Sequence, residues 1–186
     1  MAVTAASSRA SLEYYARISA EQEKINTQAA SLERATGKVE TSLTPFDPTG
    51  LFEYLYEEDK TSSVFRGFAL NAVRSLVKNC NELTAAGKSA DRLGDEGKAL
   101  LEKVKAVLAG PAGGIFREMG IGLNRATGEL RFDETRFNEK ILADPQGVRQ
   151  AIMGRDGLGP VMQRVIEAFQ SRAATSYFNS SFIINA

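Results

Sequence analysis

The stretch Gly128-Glu129-Leu130-Arg131-Phe132-Asp133-Glu134-Thr135-Arg136-Phe137 continues through Ile141-Leu142-Ala143-Asp144-Pro145-Gln146-Gly147-Val148 to Ile152-Met153-Gly154. It reads as a short strand, a helix, a break at Asp144-Pro145, and a second short helix that ends at glycine. Upstream, Ile121-Gly122-Leu123 and Glu129-Leu130-Arg131-Phe132 alternate around Asn124-Arg125-Ala126-Thr127-Gly128. That pattern predicts a small β-hairpin with Gly128 at a positive-φ turn position. Asp133 falls where its carboxylate accepts the orphan amides of a helix carrying Phe137, Ile141 and Leu142. Asp133 and Glu134 as an acid/base pair fit less well, because adjacent helical residues do not face one another. Asp144 caps the helix begun by Pro145, a residue welcome at the first helical position.

Outward from this block the chain reads as helix. From Ser7 to about Ser42 there is no proline, and Leu12, Tyr15, Ile18, Ile25, Ala29, Leu32 and Val39 recur at spacings of three, four and seven. This predicts a long helix with a narrow apolar stripe, like a coiled-coil seam. Such a stripe needs cover, either from an antiparallel partner in the same chain or from another chain. Pro45 and Asp47-Pro48 break the helix. Leu51, Phe52, Tyr54, Leu55 and Tyr56 then form a dense apolar segment, which either plugs a core or presents Phe52 and Tyr56 to a partner.

Ser62 or Ser63 caps the next helix, whose Phe65, Phe68, Ala69, Ala72, Val73, Leu76, Val77, Cys80 and Leu83 make a broad apolar face closed by Gly87. Leu93, Leu100, Leu101, Val104, Val107 and Leu108 mark another helix, stopping at Gly110-Pro111. Ala112 to Gly120 reads as a connector. Its Gly113-Gly114 lacks the lysine and hydroxyl residue of a phosphate loop. A last amphipathic helix carries Val161, Val165, Ile166, Ala168 and Phe169, preceded by the loop Gly154 to Pro160. Beyond Ser171 the chain is rich in Ser, Asn and Ala yet holds Tyr177, Phe178, Phe182, Ile183 and Ile184. That tail either orders against a partner or tucks against the body as a short strand.

The predicted fold is mainly α: a helical bundle or coiled-coil leg with a small β-hairpin and short helices. Residues 1–47 form a long N-terminal helical arm and linker, 48–172 a helical body with the hairpin near 121–132, and 173–186 a flexible C-terminal tail.

Composition narrows the function. The 186 residues carry 23 basic and 23 acidic side chains, so no electrostatic footprint favours nucleic acid or an anionic membrane. No apolar run approaches the ~20 residues that span a bilayer. The first ten residues have no apolar core of signal-peptide length, which argues against general secretion and leaves a signal-less export route open. Histidine is absent and cysteine occurs once, at Cys80. An internal disulfide and a cysteine–histidine nucleophile are therefore excluded, and Cys80 is expected as a small core residue. No metal-ligand spacing and no paired catalytic carboxylates are present, so neither an enzyme nor a cofactor is expected.

The sequence from the hairpin to Asp144-Pro145 resembles the C-terminal domain of the bacterial flagellar filament-capping proteins, a hook-associated family. Gly128, Leu130, Phe132, Asp133, Phe137, Leu142, Asp144, Pro145 and Val148 stand at its pattern of glycine turn, strand, apolar helix and Asp-Pro-x-x-Val. Cys80-Asn81 stands where that family carries Tyr-Asn, and Leu93-Gly94-Asp95 resembles its Leu-x-Gly-Asp element. The likeness spans about Phe65 to Phe169. The chain has no room for the inserted head domains of that family and lacks the long heptad helix after the last matched one.

What the resemblance implies is a structural protein of flagellar filament assembly, in a short form without heads. It would act by self-association and by contact with flagellin or another axial protein, at the flagellum outside the cell. The N-terminal stripe Leu12, Tyr15, Ile18, Ile25 and Leu32 is the expected intermolecular seam, so charges at Ile18 and Ile25 should dissociate the assembly. The alternative is a cytoplasmic helical adaptor or export chaperone, binding through Phe52 and Tyr56 or through Phe182 and Ile184. Neither reading involves nucleic acid or membrane insertion.

Overall fold

The computed structural model describes residues 2–47, 49–109, 113–124 and 126–179, with side chains from Ser11 onward except at 107–109 and 113. The architecture is mainly helical with one two-stranded antiparallel hairpin, as the periodicity predicts.

Helix α1 (Ala2–Leu43) contains no proline and runs 42 residues, about 63 Å at 1.5 Å per residue. Its C-terminal half buries Ile25, Ala29, Leu32, Val39 and Leu43. The partner is α3 (Ser63–Lys88), which buries Phe65, Ala69, Val73, Leu76, Cys80 and Leu83 along its facing stripe. Polar rungs fix the pairing as antiparallel. Glu21 meets Arg92 at 3.1 Å, Lys24 meets Asp91 at 2.5 Å, and Lys38 meets Glu82 at 2.6 Å. The Asn79 amide donates to the Lys38 carbonyl at 2.9 Å. These exposed pairs set register more than they add stability; burial of the stripe drives the association.

Between the two helices the chain reverses through a 3-10 turn (Thr44–Phe46) and α2 (Leu51–Asp59). The Thr49 amide and hydroxyl both donate to the Asp47 carboxylate, at 2.8 and 2.7 Å, and hold its pKa below the usual range. Asp59 binds Thr61 in the same way, and the Ser62 hydroxyl then accepts the Phe65 amide at 3.0 Å to start α3. Phe46, Phe52, Tyr56 and Phe65 form a chain of edge-to-face and tilted rings, with centroids 5.2–5.7 Å apart. Arg149 closes this cluster from outside: its guanidinium binds Glu53 and lies 5.3 Å from the Tyr56 ring centre.

Helix α4 (Asp95–Ala109) packs on α3 at Gly87. Gly87 does not close α3, as its position suggested; the helix continues to Lys88. A Cβ there would lie 2.0 Å from Leu101 Cδ1, so the missing side chain is what lets the two helices approach. The expected connector contains a short helix, α5 (Gly113–Glu118), followed by a turn at Gly120 with φ +78°. Strands β1 (Ile121–Leu123) and β2 (Leu130–Phe132) pair with Leu123 opposite Leu130, and Gly128 takes φ +68° in the turn.

Asp133 accepts the Arg136 amide to cap α6 (Glu134–Ala143), and Asp144 accepts the Gly147 amide to cap α7 (Pro145–Met153). Both caps match the sequence reading. Helix α8 (Leu158–Gln170) begins three residues earlier than the apolar spacing suggested, with Pro160 inside its first turn.

Of the segment 173–186 expected as a flexible tail, the part through residue 179 packs on the body instead, and residues 180–186 lie outside the described residues. Ala174, Tyr177 and Phe178 are buried, and Phe178 bridges Leu93. The Gly94 amide donates to the Tyr177 carbonyl at 2.7 Å, and the Asn179 amide to the Arg92 carbonyl at 3.0 Å. The Tyr177 ring stacks on Phe169 at 4.6 Å while its hydroxyl donates to the Phe169 carbonyl at 2.9 Å. Apolar residues spaced among Ser and Asn pay for this order by burial, which composition alone understates. Tyr177→Phe should therefore lower the unfolding free energy by about 1 kcal/mol, read from the urea midpoint at unchanged slope.

A candidate assembly interface

The long stripe of α1 divides at Glu21. On the C-terminal side every apolar position is covered by the chain itself. On the N-terminal side, Ser11 to Ala20 are exposed except for the half-buried Ile18. Leu12 is 70% exposed, Tyr15 67% and Tyr14 47%. The 19 residues from Ala2 to Ala20 thus extend the helix about 28 Å past its last rung, the pair of Glu21 with Arg92 just after α3. Isolated helices of this length are marginal in water, and large apolar side chains on them gain by finding cover.

This placement sorts the expected seam residues. Leu12, Tyr15 and Ile18 lie on the projecting arm. Ile25 and Leu32 are 3% and 0% exposed in the core and cannot contact a second chain while this fold persists. The seam assignment is overturned for those two, because the chain's own body already covers them. A charge at Ile25 would unfold the body rather than dissociate an assembly.

Phe52 and Tyr56 are also corrected: both are buried in the aromatic cluster. On that helix Leu51 and Tyr54 face solvent instead, at 50% and 60% exposure. Helical spacing puts positions 52 and 56 on one face and 51 and 54 on another. Phe182 and Ile184 lie outside the described residues. Tyr14, missed in the sequence reading, adds a second aromatic to the arm, its ring 5.8 Å from that of Tyr15.

Two further features shape the body around the arm. A groove of about 780 Å³ runs between α1 and α3, floored by Gly37, Thr41, Ala72 and Ser75 and flanked by Arg34 and Asn71. The hairpin is held to α3 by Asn81. Its side-chain amide donates to the Leu130 carbonyl at 3.0 Å, and its carbonyl oxygen accepts the Leu130 amide at 2.8 Å. One side chain thereby satisfies the outer edge of β2 as a neighbouring strand would. Arg74 reinforces the junction from α3 to Glu134, whose pKa it draws below the usual value through a 2.6 Å hydrogen bond.

The titratable chemistry is sparse. Cys80 is buried, and desolvation pushes its thiol up to about 12, so it holds no thiolate at neutral pH. Among the described residues no group of three or more His, Cys, Asp and Glu could hold a metal ion, and no helix is long and apolar enough to cross a membrane. Comparison with protein-family models, with curated proteins and with solved structures finds no match to this chain.

Proposed function

We propose that the chain is a non-enzymatic structural protein of flagellar filament assembly, resembling the filament cap. It self-associates, and contacts flagellin or another axial subunit, through the arm of α1. The observation that carries this reading is the arm itself: a helix running about 28 Å past its intramolecular partner with Leu12, Tyr14 and Tyr15 exposed. A projecting amphipathic helix of this kind suits insertion between protein subunits. The sequence likeness over the hairpin and the Asp144-Pro145 block supplies the biological setting, including a location outside the cell.

A second reading is favoured by Leu51 and Tyr54, exposed side by side with the buried aromatic cluster. Through them the chain would act as a cytoplasmic adaptor or export chaperone for a secreted axial subunit, with no cofactor in either case.

Deletion of the gene, with rescue from a plasmid, separates the two. Assembly at the filament tip predicts short or missing filaments with flagellin shed into the medium. Retention of flagellin inside the cell would favour the chaperone, and normal filaments would contradict both.

A further inference from the structure

We propose that the partner of the arm is a second copy of this chain laid antiparallel along α1, so that each arm seats in the groove between α1 and α3 of the other. The inference rests on the assembly reading above and adds its geometry. Arm and groove wall belong to one continuous helix. Leu12, Ala16, Ser19 and Glu23 follow at spacings of four, three and four, and so share one line along α1. Arg34, Gly37 and Thr41, which line the groove, continue that line, because the eleven residues from Glu23 to Arg34 make about three turns. All seven are exposed except the half-buried Gly37, and Asn26, Thr27 and Ala30 between them are exposed as well. The strip is open from end to end.

Charge sets the orientation. Glu23 and Arg34 are exposed, and the side chain of neither is paired with another described residue. A twofold axis midway between them brings Glu23 of each copy opposite Arg34 of the other, giving two ion pairs per dimer. A parallel pair in register would set like charges together instead. The antiparallel register also carries Leu12, eleven residues before Glu23, to the level of Pro45, eleven after Arg34, where Phe68 lines the groove too. Arm strip and groove are thus each about 16 Å long. Ala16 comes opposite Thr41 and Ala20 opposite Gly37, small residue against small, so the two helix axes can approach to about 8 Å.

Gly37 has no reason within its own chain to lack a side chain. Nothing within 4 Å would meet a Cβ there, whereas Leu101 fills that space at Gly87. A glycine inside a helix costs stability against alanine, and the close approach of a second helix accounts for it. The chain's own arm cannot be that helix, since Ala20 and Arg34 stand about 21 Å apart on the same rod. Two facing strips from residue 12 to 45, about 50 Å long and about 10 Å wide, bury on the order of 1,000 Å² in total, the size a specific interface needs.

The test is sedimentation velocity on the full chain over a range of concentrations at low salt. Glu23→Arg and Arg34→Glu should each raise the dimer dissociation constant about tenfold, because each replaces two attractions by two repulsions. The double variant Glu23→Arg with Arg34→Glu should restore the wild-type value. Within one chain these positions are about 16 Å apart, so rescue reports a contact between copies. Gly37→Leu should keep or raise the unfolding midpoint while weakening the dimer at least about tenfold by filling the groove. Reversals that leave association unchanged, or that weaken it without rescue, would overturn the antiparallel pairing, and unchanged association in Gly37→Leu would overturn the seating in the groove. In either case the arm reading would still stand on the loss caused by Leu12→Glu with Tyr15→Glu. A wild-type chain monomeric at every concentration would overturn both.

Discussion

Phe65→Ala is expected to lower the unfolding free energy by about 3–5 kcal/mol, the range for truncating a fully buried aromatic. Phe65 is 0% exposed and touches both Phe52, at 5.2 Å between ring centres, and Tyr56, at 5.7 Å. It sits in the first turn of α3, directly after the Ser62 cap, so the ring ties the α2 reversal to the start of the main helix. Truncation leaves a cavity between elements that a rigid cap and two Asx turns keep from collapsing. Domains of this size are stable by only about 5–15 kcal/mol, so the variant loses a large share of the total. Urea denaturation followed by circular dichroism reads the change. A loss under about 1 kcal/mol would mean that the cluster is solvated or repacks freely.

Asn81→Ala should cost about 2–4 kcal/mol, because it strips the partner from both the amide and the carbonyl of Leu130 at once. Leu130 is only 8% exposed, so water reaches those groups poorly. The bonds at 2.8 and 3.0 Å join residues 49 positions apart and are a main fastening of the hairpin to α3. Asn81→Asp is the informative companion. A carboxylate still accepts the Leu130 amide, yet it turns an oxygen toward the Leu130 carbonyl, and should destabilise at least as much at neutral pH. Faster amide exchange at Leu130 in both variants, with β1 following, would locate the loss in the hairpin. Unchanged exchange there would contradict the role assigned to Asn81.

The sequence carried the parts of the fold that follow from local chemistry. Capping by Ser62, Asp133 and Asp144, the Gly128 turn and the antiparallel strands are each written in a few adjacent residues. What depended on distant packing was not legible. Gly87 looks like a helix stop in isolation and becomes a close-approach position only because Leu101 arrives from α4. Gly120, with φ +78°, looks like one more connector glycine in sequence, whereas its carbonyl accepts the Asp133 amide at the start of α6. The α1 stripe was visible, but periodicity cannot say where an intramolecular partner ends. That limit falls at Glu21, where the pairing with Arg92 ends, so Ile25 and Leu32 share one stripe with Leu12 and Tyr15 although burial separates them. Asn81 lies within the periodic run of α3, where no local signal marks its amide as a strand edge. Tyr14 could have been found from its place four residues before Ile18.

The most direct measurement is sedimentation velocity over a range of concentrations on the wild-type chain and on Leu12→Glu with Tyr15→Glu. Both positions are exposed, so the body should keep its unfolding midpoint while self-association weakens at least about tenfold. A wild-type chain that stays monomeric throughout, or a double variant that associates as the wild type does, would contradict the assignment of the arm as the assembly surface.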